Sequence, residues 1–379
     1  MTDVFIIADN ILSPLGSSTE ENFARLKEGV SGIRLNNNKA ISTQSFYGSL
    51  FAPDTIFLPE IHGNGYTKFE QMLISSISDA MKYSEVKPSD KRTVLIISTT
   101  KGNIGLLETG DVNEQLKDRV ALPHSAKLVA GYFNFINRPV VVSNACISGL
   151  LALLTGLRLI RSGQYDHAVV AGADVISEFV TSGFESFQAI SGQPCKPFDA
   201  ERNGLNLGEG AGTIILSSTK SKEGIPVRLA GGSVSNDANH ISGPSRTGEE
   251  LYQAIRTAIQ SAGLSSGDID FISAHGTATI YNDEMEAKAI TLADLQTVPV
   301  NSLKGYYGHT LGAAGLIECI VSCRSLKDNL LLPTMGFKKP GVSRPVNICD
   351  TLQIGTYKNC LKTASGFGGC NAAVVLSKE

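Results

Sequence analysis

The ten residues Val-Val-Val-Ser-Asn-Ala-Cys-Ile-Ser-Gly at positions 140–149 decide how this chain folds. The three valines predict a short buried strand, and the apolar run 150–161 predicts a helix directly after it. Cys146 lies between the two, where free N–H groups and the positive end of the helix dipole would favour its thiolate. Cysteines at such places are usually buried structural residues, so the interpretation of Cys146 as a nucleophile depends on the rest of the chain.

Two histidines follow later, each in a glycine-rich segment at the exit of a predicted strand. His275 follows the apolar strand 269–272, and His309 follows the apolar residues 298–300. Catalytic and binding side chains gather at strand ends in α/β sheets. One cysteine with two distant histidines is therefore a candidate acyl-transfer site, and Lys304 adds a cation beside the second histidine.

Composition predicts a globular α/β chain with a large core. The 379 residues are 42% hydrophobic, which suits two ordinary domains or one large α/β unit. The 38 glycines cluster around the motifs rather than in a linker, which indicates tight turns at a packed site. A net charge of −3 provides no basic field for nucleic acid, so we expect no nucleic-acid partner.

The cysteines and the N-terminus predict a reduced, cytoplasmic protein. Seven cysteines is an odd number, and no pair has Cys-x-x-Cys spacing, so we expect free thiols and no metal site. The segment 1–7 lacks the basic region and the long apolar core of a signal peptide. Since no apolar run approaches the ~20 residues that cross a bilayer, we expect no association with a membrane.

The chain also contains an internal similarity. Residues 208–217 and residues 366–377 are both glycine-rich turns that lead into an apolar strand. Each follows a strand, a helix of small residues and a loop, the first after Cys146 and the second after His309. The sequence therefore predicts two copies of one α/β half, residues 1–220 and residues 221–379.

Taken together, these residues resemble the β-ketoacyl synthases of the thiolase-like superfamily, in the Cys-His-His group that elongates acyl chains. The resemblance covers nearly the whole chain, and its specificity comes from the order of many motifs that are individually weak. In chain order they are Ala145-Cys146 with Ser148-Gly149, Pro197-Phe198-Asp199 with Arg202 and Gly204, Gly208-Glu209-Gly210-Ala211-Gly212, His275-Gly276-Thr277 with Asn282-Asp283 and Glu286, Lys304 with Gly308-His309, Gly312-Ala313-Ala314-Gly315 with Glu318, Pro333-Thr334, and Gly366-Phe367-Gly368-Gly369 with Asn371.

The resemblance implies a thiolase-like α/β fold. Two similar βαβαβαββ halves, each with a mixed five-stranded sheet, would stack as αβαβα layers around the helices that follow Cys146 and His309. Segment 101–137 would help to line the acyl pocket and the dimer contact, with Leu106, Leu107 and Phe133 as candidates.

The resemblance also implies a reaction. Cys146 would accept an acyl group from the phosphopantetheine arm of an acyl carrier protein, and the N–H groups of Cys146 and Phe367 would hold the oxyanion. His275 and His309 would donate from neutral Nε2 atoms during a decarboxylative Claisen condensation with a malonyl thioester. Lys304 would lie behind them, paired with Glu318.

Further roles follow from the same resemblance. Thr277 and Thr279 match positions that bind pantetheine amides, and His240 lies in a segment that resembles a loop at the pantetheine entrance. Asp283 and Glu286 would brace the His275 loop, and Phe367 would also gate the pocket. No cofactor beyond carrier-bound phosphopantetheine is implied.

The implied partners are an acyl carrier protein and a second subunit. The assembly would be a homodimer or a heterodimer with a related ketosynthase-like subunit. Because the carrier protein is acidic, Lys101 and Arg202 are candidates for steering it to the pocket.

Three alternatives share features of this pattern. A chain-length-determining partner subunit typically lacks the cysteine, whereas Cys146 is present. A thiolase uses a second cysteine on a late glycine-rich loop, but Cys370 follows Gly368 and Gly369 rather than preceding them. A cysteine hydrolase would not explain the second histidine with Lys304.

Departures from the family pattern suggest a specialised synthase whose acyl pocket takes an unsaturated, aromatic or polyketide-like chain. They are Ile147, Leu205-Asn206-Leu207, Ala278, Gly305-Tyr306-Tyr307 and Cys370.

Overall fold

A computed structural model describes residues 2–108, 112–221, 224–238 and 243–379. Its strands are β1 Phe5–Leu12, β2 Arg34–Asn36, β3 Phe46–Ser49, β4 Thr93–Ser98, β5 Val140–Val142, β6 His167–Asp174, β7 Leu207–Gly208, β8 Gly210–Ser217, β9 Val227–Asn236, β10 Phe271–Ser273, β11 Val300–Asn301, β12 Leu330–Leu331, β13 Gln353–Ile354, β14 Asn359–Gly366 and β15 Cys370–Lys378. Its α-helices are α1 Thr19–Lys27, α2 Lys68–Met81, α3 Glu114–Val120, α4 Leu122–Tyr132, α5 Ser148–Arg161, α6 Glu178–Ser186, α7 Glu249–Ser261, α8 Ile280–Leu292, α9 Lys304–Tyr307 and α10 Ala314–Asp328. Short 3₁₀ helices cover Pro59–Ile61, Ile104–Glu108, Ser266–Asp268 and Leu311–Ala313.

The main sheet is built from five strands of each half of the chain. The N-terminal five lie in the order β5-β4-β6-β8-β1, and the C-terminal five continue as β9-β15-β14-β10-β11. Among the described residues, two antiparallel pairs join the sets, Phe5 with Arg228 and Ile6 with Val227. Each set mixes parallel and antiparallel neighbours. Along the chain each set alternates with three helices in the predicted βαβαβαββ order, α2, α4 and α5 in the first and α7, α8 and α10 in the second.

The helices form the predicted layers because each sheet half has two apolar faces. One core packs α2 and α4 against the outer face of the N-terminal strands, and another packs α7 and α8 against the outer face of the C-terminal strands. Between the two sets lie α5 and α10, whose apolar residues share one large core with strands from both halves. The thiolase-like αβαβα arrangement is therefore present.

Two glycines bring the N-termini of the central helices together. A Cβ on Gly149 would lie 3.0 Å from Gly312 O, and a Cβ on Gly315 would lie 2.9 Å from Leu150 N. Larger residues would force α5 and α10 apart at this crossing. The segments that precede the two helices, which carry Cys146 and His309, are consequently neighbours.

Among the residues that the structure describes, no helix combines the length and the apolar character needed to cross a membrane.

Candidate active site

Cys146 lies in a tight turn between β5 and α5. Ala145 adopts a left-handed backbone conformation with φ of +42°. Ser148 closes the turn by donating its hydroxyl to Ala145 O at 2.6 Å and by accepting from Asn144 N at 2.8 Å. Because α5 begins at Ser148, Cys146 lies just before the helix N-terminus, as the sequence predicts.

His309 contacts the sulfur directly. Its Nε2 lies 3.0 Å from Cys146 Sγ, and the N–H of Leu311 donates to its Nδ1 at 3.3 Å. A neutral imidazole that accepts at Nδ1 carries its proton on Nε2, so His309 donates to the sulfur. Burial lowers the pKa of His309 well below its ordinary value, which keeps the ring neutral near pH 7.

His275 completes the group at the exit of β10. Its backbone N–H donates to Glu286 Oε1 and the N–H of Gly276 donates to Glu286 Oε2, both at 2.8 Å. The rings of His275 and His309 have centroids 5.2 Å apart and stand nearly perpendicular. Burial also lowers the pKa of His275 well below its ordinary value.

One side-chain atom from each of Cys146, His275 and His309 lies within 4.8 Å of the other two. The structure therefore brings the three predicted residues to one point. A thiol and two imidazoles at such distances could also bind a thiophilic metal ion. The proton on His309 Nε2 argues against that use, because a ligating nitrogen must be free of its proton.

Burial affects the pKa of Cys146 in the direction opposite to that expected from its position before α5. Burial raises the pKa of the Cys146 thiol to about 12, although the nearby ammonium groups of Lys101 and Lys304 favour the thiolate. The sequence predicts that the α5 N-terminus favours the thiolate, and the loss of solvent on burial opposes this local effect. A thiol pKa above its ordinary value favours the protonated form near pH 7, so the proton must leave Cys146 when the sulfur reacts.

A buried cluster of three charges lies behind the histidines. Lys304 of α9 pairs with Glu318 Oε1 of α10, which is the pairing that the resemblance implies. Lys362 of β14, which the sequence did not single out, lies 2.7 Å from Glu318 Oε2. Both lysines are at most 1% exposed, so one carboxylate is shared between two buried ammonium groups.

The Gly366-Phe367-Gly368-Gly369 turn between β14 and β15 packs directly on the Cys146 turn. A Cβ on Gly366 would lie 2.9 Å from Cys146 N. Gly368 and Gly369 have φ values of +84° and +74°, which L side chains rarely adopt. This close approach places the main chain of Phe367 beside that of Cys146, as an oxyanion site made from their N–H groups requires.

A cleft of about 410 Å³ leads from the surface to these residues. Cys146, His275 and His309 are its buried inner end, while the exposed Ile280 and Tyr281 form its mouth. Thr277 and Thr279 line the wall, and their hydroxyl oxygens lie 2.9 Å apart.

Phenylalanine rings form another wall of the cleft. The ring of Phe367 has its centroid 5.6 Å from that of Phe184 and 5.1 Å from that of Phe187. Phe184 in turn lies edge-on to His309 at 6.5 Å. The space in front of the nucleophile is therefore flanked by aromatic faces.

Family descriptions match both halves of this chain. Residues 1–222 match the description "Beta-ketoacyl synthase, N-terminal domain", and residues 227–338 match "Beta-ketoacyl synthase, C-terminal domain". The chain belongs to the β-ketoacyl synthase family. The predicted family and its acyltransferase class are thereby confirmed.

Relatives of this synthase agree with the assignment. It is 33% identical over 252 residues to 3-oxoacyl-(acyl-carrier-protein) synthase 2 of Rhizobium meliloti, a match that covers 62% of this chain and 60% of that protein. It is 27% identical to the enzyme of the same name from Staphylococcus aureus, over 99% of this chain and 98% of that protein.

Solved structures with the same fold span the whole synthase. The ishigamide ketosynthase/chain length factor has 25% identity and a TM-score of 0.90, with 100% of this chain and 99% of that chain covered. A ketosynthase in complex with its chain length factor from Xenorhabdus doucetiae has 24% identity and a TM-score of 0.87, with 100% and 98% covered. These likenesses confirm the thiolase-like fold.

Asp283 and Arg202 make contacts that differ from those expected. Glu286 braces the His275 loop, but Asp283 accepts from the N–H of Phe198 at 2.7 Å and so holds a different loop. Arg202 is nearly buried and donates to the carbonyls of Asp199 and Gly341. Its role is therefore structural, and the prediction that it steers an acidic carrier protein is wrong.

The residues predicted to line the acyl pocket do not line this cleft. Phe133 packs with Tyr132 and Phe135 at the outer core of the N-terminal half, and neither it nor Leu106 or Leu107 lines the cleft of the described chain. His240, predicted near the pantetheine entrance, lies outside the described residues.

Asp174 is a site residue that the sequence analysis missed. At the end of β6, its carboxylate accepts from Thr99 Oγ1 and from Gly312 N, each at 2.7 Å, and from Thr100 N. Burial raises the pKa of Asp174, and these donors oppose the rise. Since Gly312 follows His309 by three residues, Asp174 ties the turn that carries His309 to the N-terminal half.

Proposed function

We propose that this synthase extends a Cys146-bound acyl chain with a malonyl unit, both delivered by an acyl carrier protein. The observation that carries the proposal is the meeting of one thiol and two neutral imidazoles at the inner end of a cleft. A synthase needs all three groups, because the acyl chain and the malonyl carbonyl must be bound side by side.

In the first step, Cys146 Sγ attacks the carbonyl of an acyl thioester. The backbone N–H groups of Cys146 and Phe367 donate to the oxyanion that forms. The carbon–sulfur bond to phosphopantetheine then breaks, and the thiol proton of Cys146 goes to the departing sulfur. The exchange conserves one thioester and one thiol, so a thiol nucleophile suits it.

In the second step, the malonyl thioester loses carbon dioxide. Its carbonyl oxygen gains negative charge as the enolate forms, and neutral His275 and His309 donate hydrogen bonds to it. The enolate carbon attacks the acyl carbonyl on Cys146, and the bond to Sγ breaks to release a 3-oxoacyl thioester. The thiolate left on Cys146 then takes a proton from water, which restores the thiol. The low pKa of each histidine supports this role. A neutral ring donates a hydrogen bond to the enolate oxygen, whereas an imidazolium would transfer its proton to it.

We propose that the acyl chain is unsaturated, aromatic or polyketide-like. The rings of Phe184, Phe187 and Phe367 lie together along the cleft, and aromatic rings stabilise planar conjugated groups by stacking. The assignment of Phe367 as the gate of this pocket rests on its position between the rings and the Cys146 turn.

We propose a dimer for the assembly. Within the part of the chain that the structure describes, β5 is an edge strand of the main sheet and pairs only with β4, so its outer edge offers backbone groups to a second subunit. That subunit is a second copy or a related ketosynthase-like chain; solved relatives include ketosynthase and chain-length-factor pairs. The complete set of Cys146, His275 and His309 supports the catalytic rather than the chain-length role for this chain.

Three further assignments complete the proposal. Residues 1–220 and 221–379 are two copies of one half, which the equal strand orders support. The substrates arrive on phosphopantetheine, and Thr277 and Thr279 bind its amides. A cytoplasmic location is supported by the unpaired state of all seven cysteines.

Intact mass measurement tests the proposal. The chain is incubated first with acyl-loaded carrier protein and then with malonyl carrier protein, alone and with a candidate partner subunit. We expect an acyl mass on Cys146 that leaves as a 3-oxoacyl carrier, none with Cys146→Ala, and normal behaviour of Cys370→Ala. A Cys370→Ala variant that acylates but cannot condense would favour the thiolase alternative, and a wild-type chain that never acylates would overturn the proposal.

A further inference from the structure

Lys362 is a buried lysine that the reaction described above does not use. It lies in β14 and is fully buried. Its Nζ donates to Ser273 O and to Ala274 O, both at 3.1 Å, and contacts Glu318 Oε2 at 2.7 Å. A buried ammonium group destabilises the fold unless it is paired. A lysine in this place therefore suggests a functional role.

The first consequence is a charge imbalance. Lys304 and Lys362 share the single carboxylate of Glu318, so the three side chains together carry one positive charge in excess. With Lys304 alone, the pair with Glu318 would be neutral. Lys362 therefore restores a positive field on the side of the histidines that faces away from the cleft.

That field acts on both imidazoles. Lys304 and Lys362 each lower the pKa of His275 and of His309, after the larger effect of burial. The charged and titratable groups around the two rings are Cys146, Lys101, Asp174, Glu286, Lys304, Glu318 and Lys362.

The second consequence is positional. Ala274 directly precedes His275, and its carbonyl is held by Lys362 on one side. On the other side, Glu286 holds the N–H of His275. The hydroxyl of Thr363, the neighbour of Lys362, also donates to Glu286 Oε1 at 2.6 Å. Two consecutive β14 residues therefore fix the strand end that carries His275.

We propose that Lys362 is a positioning residue of the condensation step, which fixes His275 and shares Glu318 so that a positive charge remains behind the histidines. The proposal rests on the proposed function. It predicts a defect in the second step, where both imidazoles act on the malonyl carbonyl. The first step uses the backbone N–H groups of Cys146 and Phe367 and is expected to proceed.

The test compares Lys362→Met with Lys358→Met, an exposed lysine on the same segment. For Lys362→Met we expect acylation of Cys146 within about threefold of wild type and condensation at least tenfold slower. The acidic limb of its pH profile should move to higher pH, because removing a positive charge raises the pKa of each histidine and lets an inactive imidazolium form sooner. Lys358→Met should match wild type in every measurement.

Two outcomes overturn the proposal. One is a folded Lys362→Met chain whose condensation rate and pH profile equal those of wild type. The other is a folded variant that loses acylation and condensation equally, which would indicate a general structural role.

A measurement without substrate separates this proposal from the proposed function. Imidazole NMR titration of the wild type and of Lys362→Met reports the ring charges even in a chain that does not condense. We expect neutral rings in the wild type at about pH 6 and a higher midpoint in the variant. If Lys362→Met does not fold, Lys362→Gln takes its place. Protonated imidazole rings in the wild type at about pH 6 would overturn the proposal by themselves.

Discussion

Gly366→Ala is expected to disable acyl transfer and to leave the fold in place. An added Cβ would lie 2.9 Å from Cys146 N and from Cys370 Sγ, and 3.1 Å from Ala145 Cβ. Ordinary contacts begin at 3.4 Å, and two of these neighbours are backbone or short side-chain atoms that cannot swing away. The Cys146 turn must therefore move by roughly 0.5 Å relative to β14, since close-packed interiors have no spare volume.

The magnitude of the expected loss follows from the geometry of the proposed oxyanion site. A 1 Å misplacement costs about 100-fold in rate, and removing one oxyanion donor costs about 100- to 1000-fold. The shift moves the N–H of Cys146 away from that of Phe367. It therefore both misplaces the reacting sulfur and weakens one oxyanion donor. We expect acylation of Cys146 to slow by about 100-fold.

The assay is the rate of acyl transfer from a loaded carrier protein, followed by intact mass, with thermal unfolding measured on the same sample. Gly131→Ala is the matched control, because a Cβ on Gly131 in α4 meets nothing within 4 Å. That control should keep full activity and gain about 1 kcal/mol of helix stability. Acylation of Gly366→Ala within threefold of wild type, at an equal melting temperature, would refute the reasoning.

Two further predictions concern buried carboxylates. Asp174→Asn offers one acceptor where the carboxylate serves Thr99 and Gly312, so we expect a loss of about 2 kcal/mol in unfolding free energy; a urea curve equal to that of wild type would contradict this. Burial raises the pKa of Asp283 to about 7, so its contribution to stability is full below about pH 4 and is lost as the pH rises through 7. Asp283→Asn should flatten the fall in Tm over that window, and an unchanged slope would show that another group causes it.

The reactive residues were predictable because their spacing and their surroundings are unusual. Cys146 and His309 each stand between a strand and an apolar helix, and a glycine-rich segment follows His275. Those local features can be recognised in the sequence without knowledge of the fold. The repeated strand and helix pattern predicted two similar halves, and the layer order followed from the resemblance to the β-ketoacyl synthases.

Lys362 was not predictable from its neighbours. In Asn-Cys-Leu-Lys-Thr-Ala-Ser, residues 359–365, the lysine interrupts an apolar strand and would ordinarily mark a solvent-facing side. The fold places β14 between β10 and β15 with α7 and α10 against it, so no side of the strand reaches water. Only the tertiary arrangement brings Glu318 to the lysine.

The raised pKa of the Cys146 thiol was not predictable from the sequence for a different reason. The helix N-terminus is a local feature that a sequence reveals, whereas the loss of solvent depends on segments far away in the chain. The turn at 366–369 and the 309–312 segment cover Cys146 from the second half. Their combined desolvation exceeds the local electrostatic benefit.

The placement of β15 controls when the site can form during synthesis. This strand spans residues 370–378, yet it lies in the middle of the sheet between β9 and β14. The preceding turn, which carries Phe367, packs on the Cys146 turn, so more than half of the chain must be made after Cys146 before this part of the site exists. Because β9, one pairing partner of β15, lies more than 130 residues earlier in the chain, we expect the closing of this turn over Cys146 to be a slow step of folding.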